Sequence, residues 1–441
     1  MRWLMPLDDF FIRHRAPKLQ NIPVLICEDG SYPIEANTYV VERCCGEWGP
    51  SDLDDPIVPT LRSREGIASR LCAFLRFCRQ YSSRDWRNMT YEEDLLGEYQ
   101  VGLLKGKCSA TRMPLSAASV NVYLDEAVLF LMWAAERGYR PAFKVSRRRV
   151  RTATSSGKHS LGHRGRFVLQ RQGKMQVVSD PLPTLPTNRE VDRWLRGIRL
   201  HAPVKALAFE LILRSGVRLS ETNQMRSKCF PDKLHEGSES WPPRWLQQGW
   251  VPVILRYGVK GGKVQPASAL SLRSRRIEVP IDLADRIWHY KQLIRPTLLR
   301  RFTRGDRSRD ASEGRLWLGE SKRQPVSNTM LYKAWTKTPY CPKGWNPHDG
   351  RHFFAVEKIC DYVRLLMQNH GIDEPRSIGV GWLHGLVAGQ VKLILSPLMG
   401  HVSEETTMLY LKCAHHRLIE SFGHPALDWN QFLDSDLQDD E

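Results

Sequence analysis

Three short clusters, far apart in the chain, hold side chains that act on phosphate esters when they converge. The first is Gly216-Val217-Arg218-Leu219-Ser220-Glu221 and the second His348-Asp349-Gly350-Arg351-His352. The third is Leu398-Met399-Gly400-His401, with Tyr410 nine positions beyond its histidine. A guanidinium presents a planar fork of donors suited to two non-bridging phosphate oxygens, so Arg218 and Arg351 are candidate anion clamps. Glu221 is placed to hold or orient Arg218. His348 and Arg351, three apart, share one face if a helix has begun, and Asn346-Pro347 before them is a helix-entry signal. His352 is expected to face elsewhere and pack. Gly400 lets the backbone beside His401 approach another group closely. The phenol of Tyr410 has a reference pKa of about 10, so as a nucleophile it needs activation or proton removal. Taken singly, each has an ordinary reading: a surface Arg–Glu pair, a core histidine, a core tyrosine.

Arg, then His-x-x-Arg, then Gly-His, then Tyr, in that order, resembles the catalytic domain of the tyrosine recombinases (phage-type integrases). The resemblance covers roughly residues 60–420. It implies a mainly α fold with a small antiparallel β-sheet (α+β): a helical core-binding domain plus a tyrosine-recombinase catalytic domain. It implies a site-specific DNA recombinase that cuts and rejoins strands through a covalent 3′-phosphotyrosine on Tyr410. Arg218 and Arg351 then hold the non-bridging oxygens, His401 donates a hydrogen bond to the scissile phosphate, and His348 takes the tyrosine proton. The acid for the leaving 5′ hydroxyl would be a lysine on a hairpin. Tyr257-Gly258-Val259-Lys260-Gly261-Gly262-Lys263 resembles that turn, with Lys260 the better match and Lys263 its rival. No metal or cofactor is implied. Double-stranded DNA is the partner, with a homotetramer on two sites, accessory proteins and service to a mobile genetic element as further implications.

Two departures stand out: the lengthened return from Val264 to Ser274, and a long segment between about Asp361 and Val391. A type IB topoisomerase or telomere resolvase would use the same residues, and a silent DNA-binding regulator could share the fold. The order of the boxes argues against the first, and the intact residue set against the second.

The elements that must position these residues follow from hydrophobic period. Residues 1–58 mix short extended-looking runs, Ile22 to Ile26 and Tyr39 to Val41, and are set apart as an extension of unknown role. Residues 59–145 read as a small all-α domain: Ile67, Leu71, Phe74, Leu75 and Cys78 make one face, a second helix spans Glu92 to Leu104, and a third runs from Ser116 to a stop at Gly138. Residues 146–186 read as a basic linker in which Arg147, Arg148, Arg149, Arg151, Lys158, Arg164 and Arg166 track phosphates. Residues 187–423 form the larger domain, with a helix from Val204 to Leu213, a strand pair at Val251 to Tyr257 and Arg276 to Pro280, and helices near Leu283 to Leu299 and Phe353 to Gln368. Residues 424–441 are an acidic, apolar tail, for which docking onto a neighbouring protomer is expected by resemblance.

The formal charge of +17 points to a polyanionic partner, though a ribosomal or membrane-surface protein would show the same balance. The ten cysteines include no Cys-x-x-Cys pair, which favours buried thiols over zinc and suits a reducing compartment. No signal core follows Met1 and no apolar run looks long enough to span a bilayer, so a cytoplasmic location is expected.

Overall fold

The computed structural model describes residues 1–6, 11, 14–49, 58–108, 113–152, 166–176, 185–234, 240–256, 274–301, 314–320, 325–372, 393, 395, 397–400 and 404–420. The chain divides into two compact units, Met1–Ser179 and Asp180–Glu441. Among the described residues, both are helical with only small antiparallel sheets.

In the first unit, β1 (Arg2–Leu4) pairs antiparallel with β2 (Val24–Ile26). Helix α1 (Ile34–Cys45) follows and ends on Gly46 at φ +76. The extended reading of Tyr39 to Val41 is therefore wrong. Those residues put Tyr39 and Val40 into the core from a helix, where three-to-four spacing with Ala36 and Cys44 outweighs β-branching. Asn37 ties the helix to the strand, its Oδ1 accepting from the Leu25 N–H at 2.7 Å and its Nδ2 donating to the Leu25 carbonyl at 3.0 Å. Helix α2 (Leu61–Gln80) starts at Thr60, whose hydroxyl accepts from the Ser63 N–H. The predicted helix from Glu92 is instead a π-helical stretch, Tyr91–Gln100, running into a short α-helix, Val101–Leu104.

Helix α3 (Ala117–Glu136) is the centre of this core, burying Leu124, Phe130, Leu131 and Trp133. Contrary to expectation, it is long and apolar enough by length and composition to cross a membrane. Here its apolar side is packed, and its buried Glu126 accepts from the Tyr39 hydroxyl at 2.7 Å. Met1, Leu25, Tyr39 and Trp48 belong to the same core cluster as α2 and α3, so the described residues before 50 pack into this body rather than standing apart from it.

The linker reading also changes. β3 (Arg147–Thr152) and β4 (Arg166–Arg171) form an antiparallel hairpin, with Arg147 opposite Arg171. It is fastened to α3 by Arg171, which donates to Asp125 at 2.5 Å, and by Asn121, which exchanges bonds of 2.9 Å with the Met175 backbone.

In the second unit, α4 (Asn188–His201) begins with a capping box between Thr187 and Glu190. It packs on α5 (Pro203–Ser215), which ends at Gly216 with φ +63. Arg218 is the N-cap of the short α6 (Leu219–Gln224). β5 (Trp250–Leu255) and β6 (Arg275–Pro280) pair antiparallel with Val253 opposite Ile277. Their inward positions are Val251, Val253 and Leu255 on one strand, and Arg275, Ile277 and Val279 on the other. Helix α7 (Ile281–His289) continues from β6.

Three further helices matter for the site: α8 (Asn328–Lys337), α9 (Pro347–Asn369) and α10 (Glu404–Glu420). The start of α9 is fixed twice. Asn346 and Asp349 form a capping box, and Pro347 sits where its missing N–H costs nothing. One turn in, a Cβ at Gly350 would collide with the Trp335 ring. That ring lies in an aromatic cluster with Trp194 and Trp345 at centroid distances of 4.6 and 4.9 Å. The stretch from Asp361 to Asn369, read as the start of an inserted segment, is the second half of α9. The rest of that segment, apart from 370–372, and the C-terminal tail lie outside the described residues.

Candidate active site

Three arginines from three elements converge on one stretch of backbone, and two of them share a carboxylate. Glu221, fully buried on α6, accepts from Arg218 Nη1 at 2.8 Å and from Arg275 Nη2. It also accepts from the Arg218 N–H at 2.8 Å, which locks the arginine at the helix start. The guanidinium groups then reach the carbonyls of residues 398–400. Arg218 Nη2 donates to Met399 O and Gly400 O at 3.4 Å, Arg351 Nη2 to the same Met399 O, and Arg275 Nη1 to Leu398 O. Arg351 Nη1 also donates to Gly216 O at 2.5 Å. Two arginines 133 positions apart in sequence thus share a single acceptor.

The two glycines explain how the backbone comes this close. Gly216 and Gly400 both have positive φ, +63 and +62. A Cβ at Gly216 would run into Phe354, and one at Gly400 would lie 3.2 Å from Arg275 Cδ. Side chains are disfavoured at both positions on conformational and steric grounds.

Electrostatically the site is in cationic excess, with three guanidinium groups around one carboxylate. Burial, then the charges of Arg218 and Arg275, pushes Arg351 down to about 9. Burial likewise lowers Arg275, with Glu221 opposing and Arg218 adding to the effect. The Nε of Arg275 is buried with no hydrogen-bond partner among the described residues. Arg351 is 5% exposed, whereas the side chain of Arg218 is 26% exposed, so the cluster opens to solvent on the Arg218 side.

Tyr410 projects from α10 on the stripe that continues with Leu411, Ala414 and Leu418, packed against Ile359, Cys360 and Val363 of α9. Its ring is core, as the ordinary reading has it, but its hydroxyl is bonded to His352 Nδ1 at 2.8 Å. This corrects the expectation that His352 faces elsewhere. His352 lies four residues from His348 and one from Arg351, so the helical turn that aligns His348 with Arg351 brings His352 to the same side. The rings of His348 and His352 meet edge to face, 4.5 Å between centroids, with His348 exposed and His352 half-buried. Burial, then the His348 and Arg351 charges, lowers His352 to about 4. Burial raises Tyr410 to about 12, with Arg351 pulling the other way.

The sequence-predicted residues therefore divide. Arg218, Glu221 and Arg351 come together, and Tyr410 lies within the electrostatic reach of Arg351. His348 sits beside His352. Lys260, Lys263 and His401 lie outside the described residues. Of the basic set, Arg147, Arg148 and Arg149 are exposed on β3. Arg151 and Arg166 fall in the paired strands, and Lys158 and Arg164 lie outside the described residues. Arg275 was missed, although a signal exists. It is in phase with Ile277 and Val279, so the strand's period of two turns it inward, where an arginine requires a carboxylate. Among the described residues, no group of three or more His, Cys, Asp or Glu could hold a metal ion.

No family model matches the chain, and no curated protein matches it. Among the solved structures to which it is similar are site-specific recombinases and integrases. A XerH site-specific recombinase bound to palindromic difH substrate, in a post-cleavage complex, is 16% identical with a TM-score of 0.43, over 88% of this chain and 84% of that one. A lambda integrase dimer bound to a COC′ core site is 12% identical with a TM-score of 0.41, over 79% and 88%. A Tn1549 transposon integrase in complex with circular intermediate DNA is 14% identical with a TM-score of 0.41, over 79% and 89%. At these scores the likeness assigns neither substrate nor activity, and the functional reading rests on the side chains.

Proposed function

We propose that the chain is a tyrosine-type, site-specific DNA recombinase that cuts and rejoins duplex DNA through a covalent 3′-phosphotyrosine at Tyr410. The observation that carries this reading is the shared acceptor: Arg218 and Arg351 both donate to Met399 O, within a cluster that has three guanidiniums and one carboxylate. The formal excess of two positive charges matches an in-line displacement. A phosphodiester brings one negative charge in the ground state and develops a second as the phenol oxygen adds. A fixed pair of excess cations therefore stabilises the transition state more than the bound substrate, which is the condition for catalysis. At an effective dielectric near 20, a unit charge about 4 Å away contributes about 4 kcal/mol, so one phosphate outweighs the weak 3.4 Å bonds that Arg218 makes to backbone.

In this reading Tyr410 attacks phosphorus, Arg218 and Arg351 hold the non-bridging oxygens, and Arg275 reinforces them through Glu221. By resemblance, His401 donates to the phosphate, Lys260 protonates the leaving 5′ oxygen, and His348 is the histidine assigned to the phenol's proton. The arginines of β3 would contact the DNA backbone. Action as a homotetramer on two sites, and service to a mobile element, belong to the same proposal.

The test begins with a pool of nicked duplexes of random sequence, the nick preventing religation. Wild-type protein is expected to yield covalent DNA adducts, which Tyr410→Phe does not form. The recovered sequence is then offered as two intact duplexes. Strand exchange between them supports a recombinase, relaxation of one supercoiled duplex without exchange points to a topoisomerase, and absence of any adduct sinks the proposal.

A further inference from the structure

We propose that His352, through Nδ1, is the group that takes the proton from the Tyr410 hydroxyl during strand cleavage and returns it on rejoining. The inference rests on the recombinase reading and changes one assignment within it, since resemblance gives this role to His348. The geometry favours His352. Its Nδ1 stands 2.8 Å from the phenol oxygen, within the reach a general base requires, in the protein without DNA. His348 is exposed and makes its edge-to-face ring contact with His352, whereas the ring and the hydrogen bond that meet Tyr410 are those of His352.

The protonation states are consistent with this role. Burial raises the phenol to about 12, which at pH 7 leaves about one phenolate in 10⁵. Attack by a preformed phenolate is thus disfavoured, and a base in contact is needed. His352 is lowered to about 4 by burial and by its charged neighbours, so at pH 7 its imidazole is neutral and can accept at Nδ1. The gap between the two values means that the proton moves as the phosphorus–oxygen bond forms, when the phenol oxygen loses its basicity to the ester. The groups facing His352 are His348 and Arg351 from its own helix and Tyr410 from α10. Both neighbours on its own helix, His348 and Arg351, disfavour an imidazolium at His352, and the arriving phosphate, being anionic, opposes them.

The step balances. The O–H bond of Tyr410 breaks and its proton forms an N–H bond at His352. The phenol oxygen bonds to phosphorus, the bond from phosphorus to the 5′ oxygen breaks, and that oxygen takes a proton from the general acid. Rejoining reverses each change, so no proton is consumed over a full cycle.

The experiment uses the full chain and the nicked duplex recovered from the random pool, and follows single-turnover adduct formation together with DNA affinity. His352→Asn places an amide oxygen near the position of Nδ1, so it keeps an acceptor for the phenol but cannot take its proton at neutral pH. We expect adduct formation to fall by about 10²- to 10⁴-fold, with DNA affinity within about twofold and the acidic limb of the pH–rate profile lost. His348→Asn is expected to lose less than about tenfold. His352→Gln replaces the Asn variant if that protein melts below wild type. The proposal is overturned by a His352 variant that cleaves within about threefold of wild type, by a slowed variant with the acidic limb unchanged, or by the larger loss falling on His348→Asn. These outcomes leave the recombinase reading standing. Failure of wild-type protein to form any adduct removes that reading instead, and this one with it.

Discussion

Two arginine–carboxylate clusters lie in the same unit, and they are built to opposite ends. Around Glu210, fully buried on α5, stand Arg199, Arg214 and Arg286, with Asp282 as a second carboxylate. Around Glu221 stand Arg218 and Arg275, with Arg351 alongside, and among the described residues no second carboxylate pairs with these three arginines. In the first cluster burial alone would raise Glu210, yet the three guanidiniums lower it to about 2, and Arg286 is raised by its carboxylates against its own burial. In the second, Arg351 and Arg275 are both lowered. One cluster is settled by its own carboxylates. The other has cations in excess and backbone carbonyls as their remaining partners, so it gains from a further anion. A count of arginines does not distinguish the two, but the balance of charge does.

The largest test of that contrast falls on the settled cluster. Glu210→Ala removes the carboxylate that three arginines share, and chemical denaturation is expected to show a loss of about 3–5 kcal/mol. A loss below about 1 kcal/mol would mean that Glu210 does not hold these helices together. Arg351→Ala should act on chemistry instead. Trapped adduct is expected to form about 10²- to 10³-fold more slowly, equivalent to about 2.7–4 kcal/mol of transition-state stabilisation. Unaltered cleavage would show that the excess charge is not catalytic.

Anion binding sharpens the comparison at a smaller scale. Inorganic phosphate at ten times its dissociation constant, with chloride matched for ionic strength, should stabilise wild type and Arg286→Ala by about 1.4 kcal/mol and leave Arg351→Ala unmoved. Equal stabilisation of all three would place the anion elsewhere. The smallest effect is a pH slope. Glu210 has a folded value of about 2 against an ordinary 4.5, so its contribution is complete above 4.5 and is lost as pH falls towards 2. The difference in stability between wild type and Glu210→Gln should therefore be flat from pH 7 to 5. Below that it should shrink by no more than about 1.4 kcal/mol per pH unit.

What could be read from the chain beforehand was whatever depends on local spacing. The helix entry at Asn346-Pro347, the helix over Val204 to Leu213 and the strand pair ending at Pro280 each follow from a few neighbouring residues, and each stands where expected. Arg218 and Arg351 were legible because their clusters have recognisable neighbours. Arg275 was not, because its partner Glu221 lies 54 positions away and only strand phase betrays an inward arginine. His352 was misread by attending to its adjacency to Arg351 rather than its four-residue distance from His348. Tyr39 to Val41 was misread for a related reason: a three-residue apolar run is too short to distinguish strand from helix. The basic stretch after Lys144 was read as a linker because its paired strands are rich in arginine, and Arg171 fastens them by polar contacts to Asp125 and Asn121.

Gly350 shows how far the candidate site depends on something absent. Only hydrogen fits between the start of α9 and the Trp335 ring at Gly350, and His348, Arg351 and His352 all lie within two residues of it on the same helix. Adding one methyl group there would lift the whole turn from its seat and misaim three polar side chains together, without touching any of them. Loss of activity can therefore arise from a buried, chemically inert position, so a screen for silencing substitutions should include the tryptophan floor as well as the charged centre.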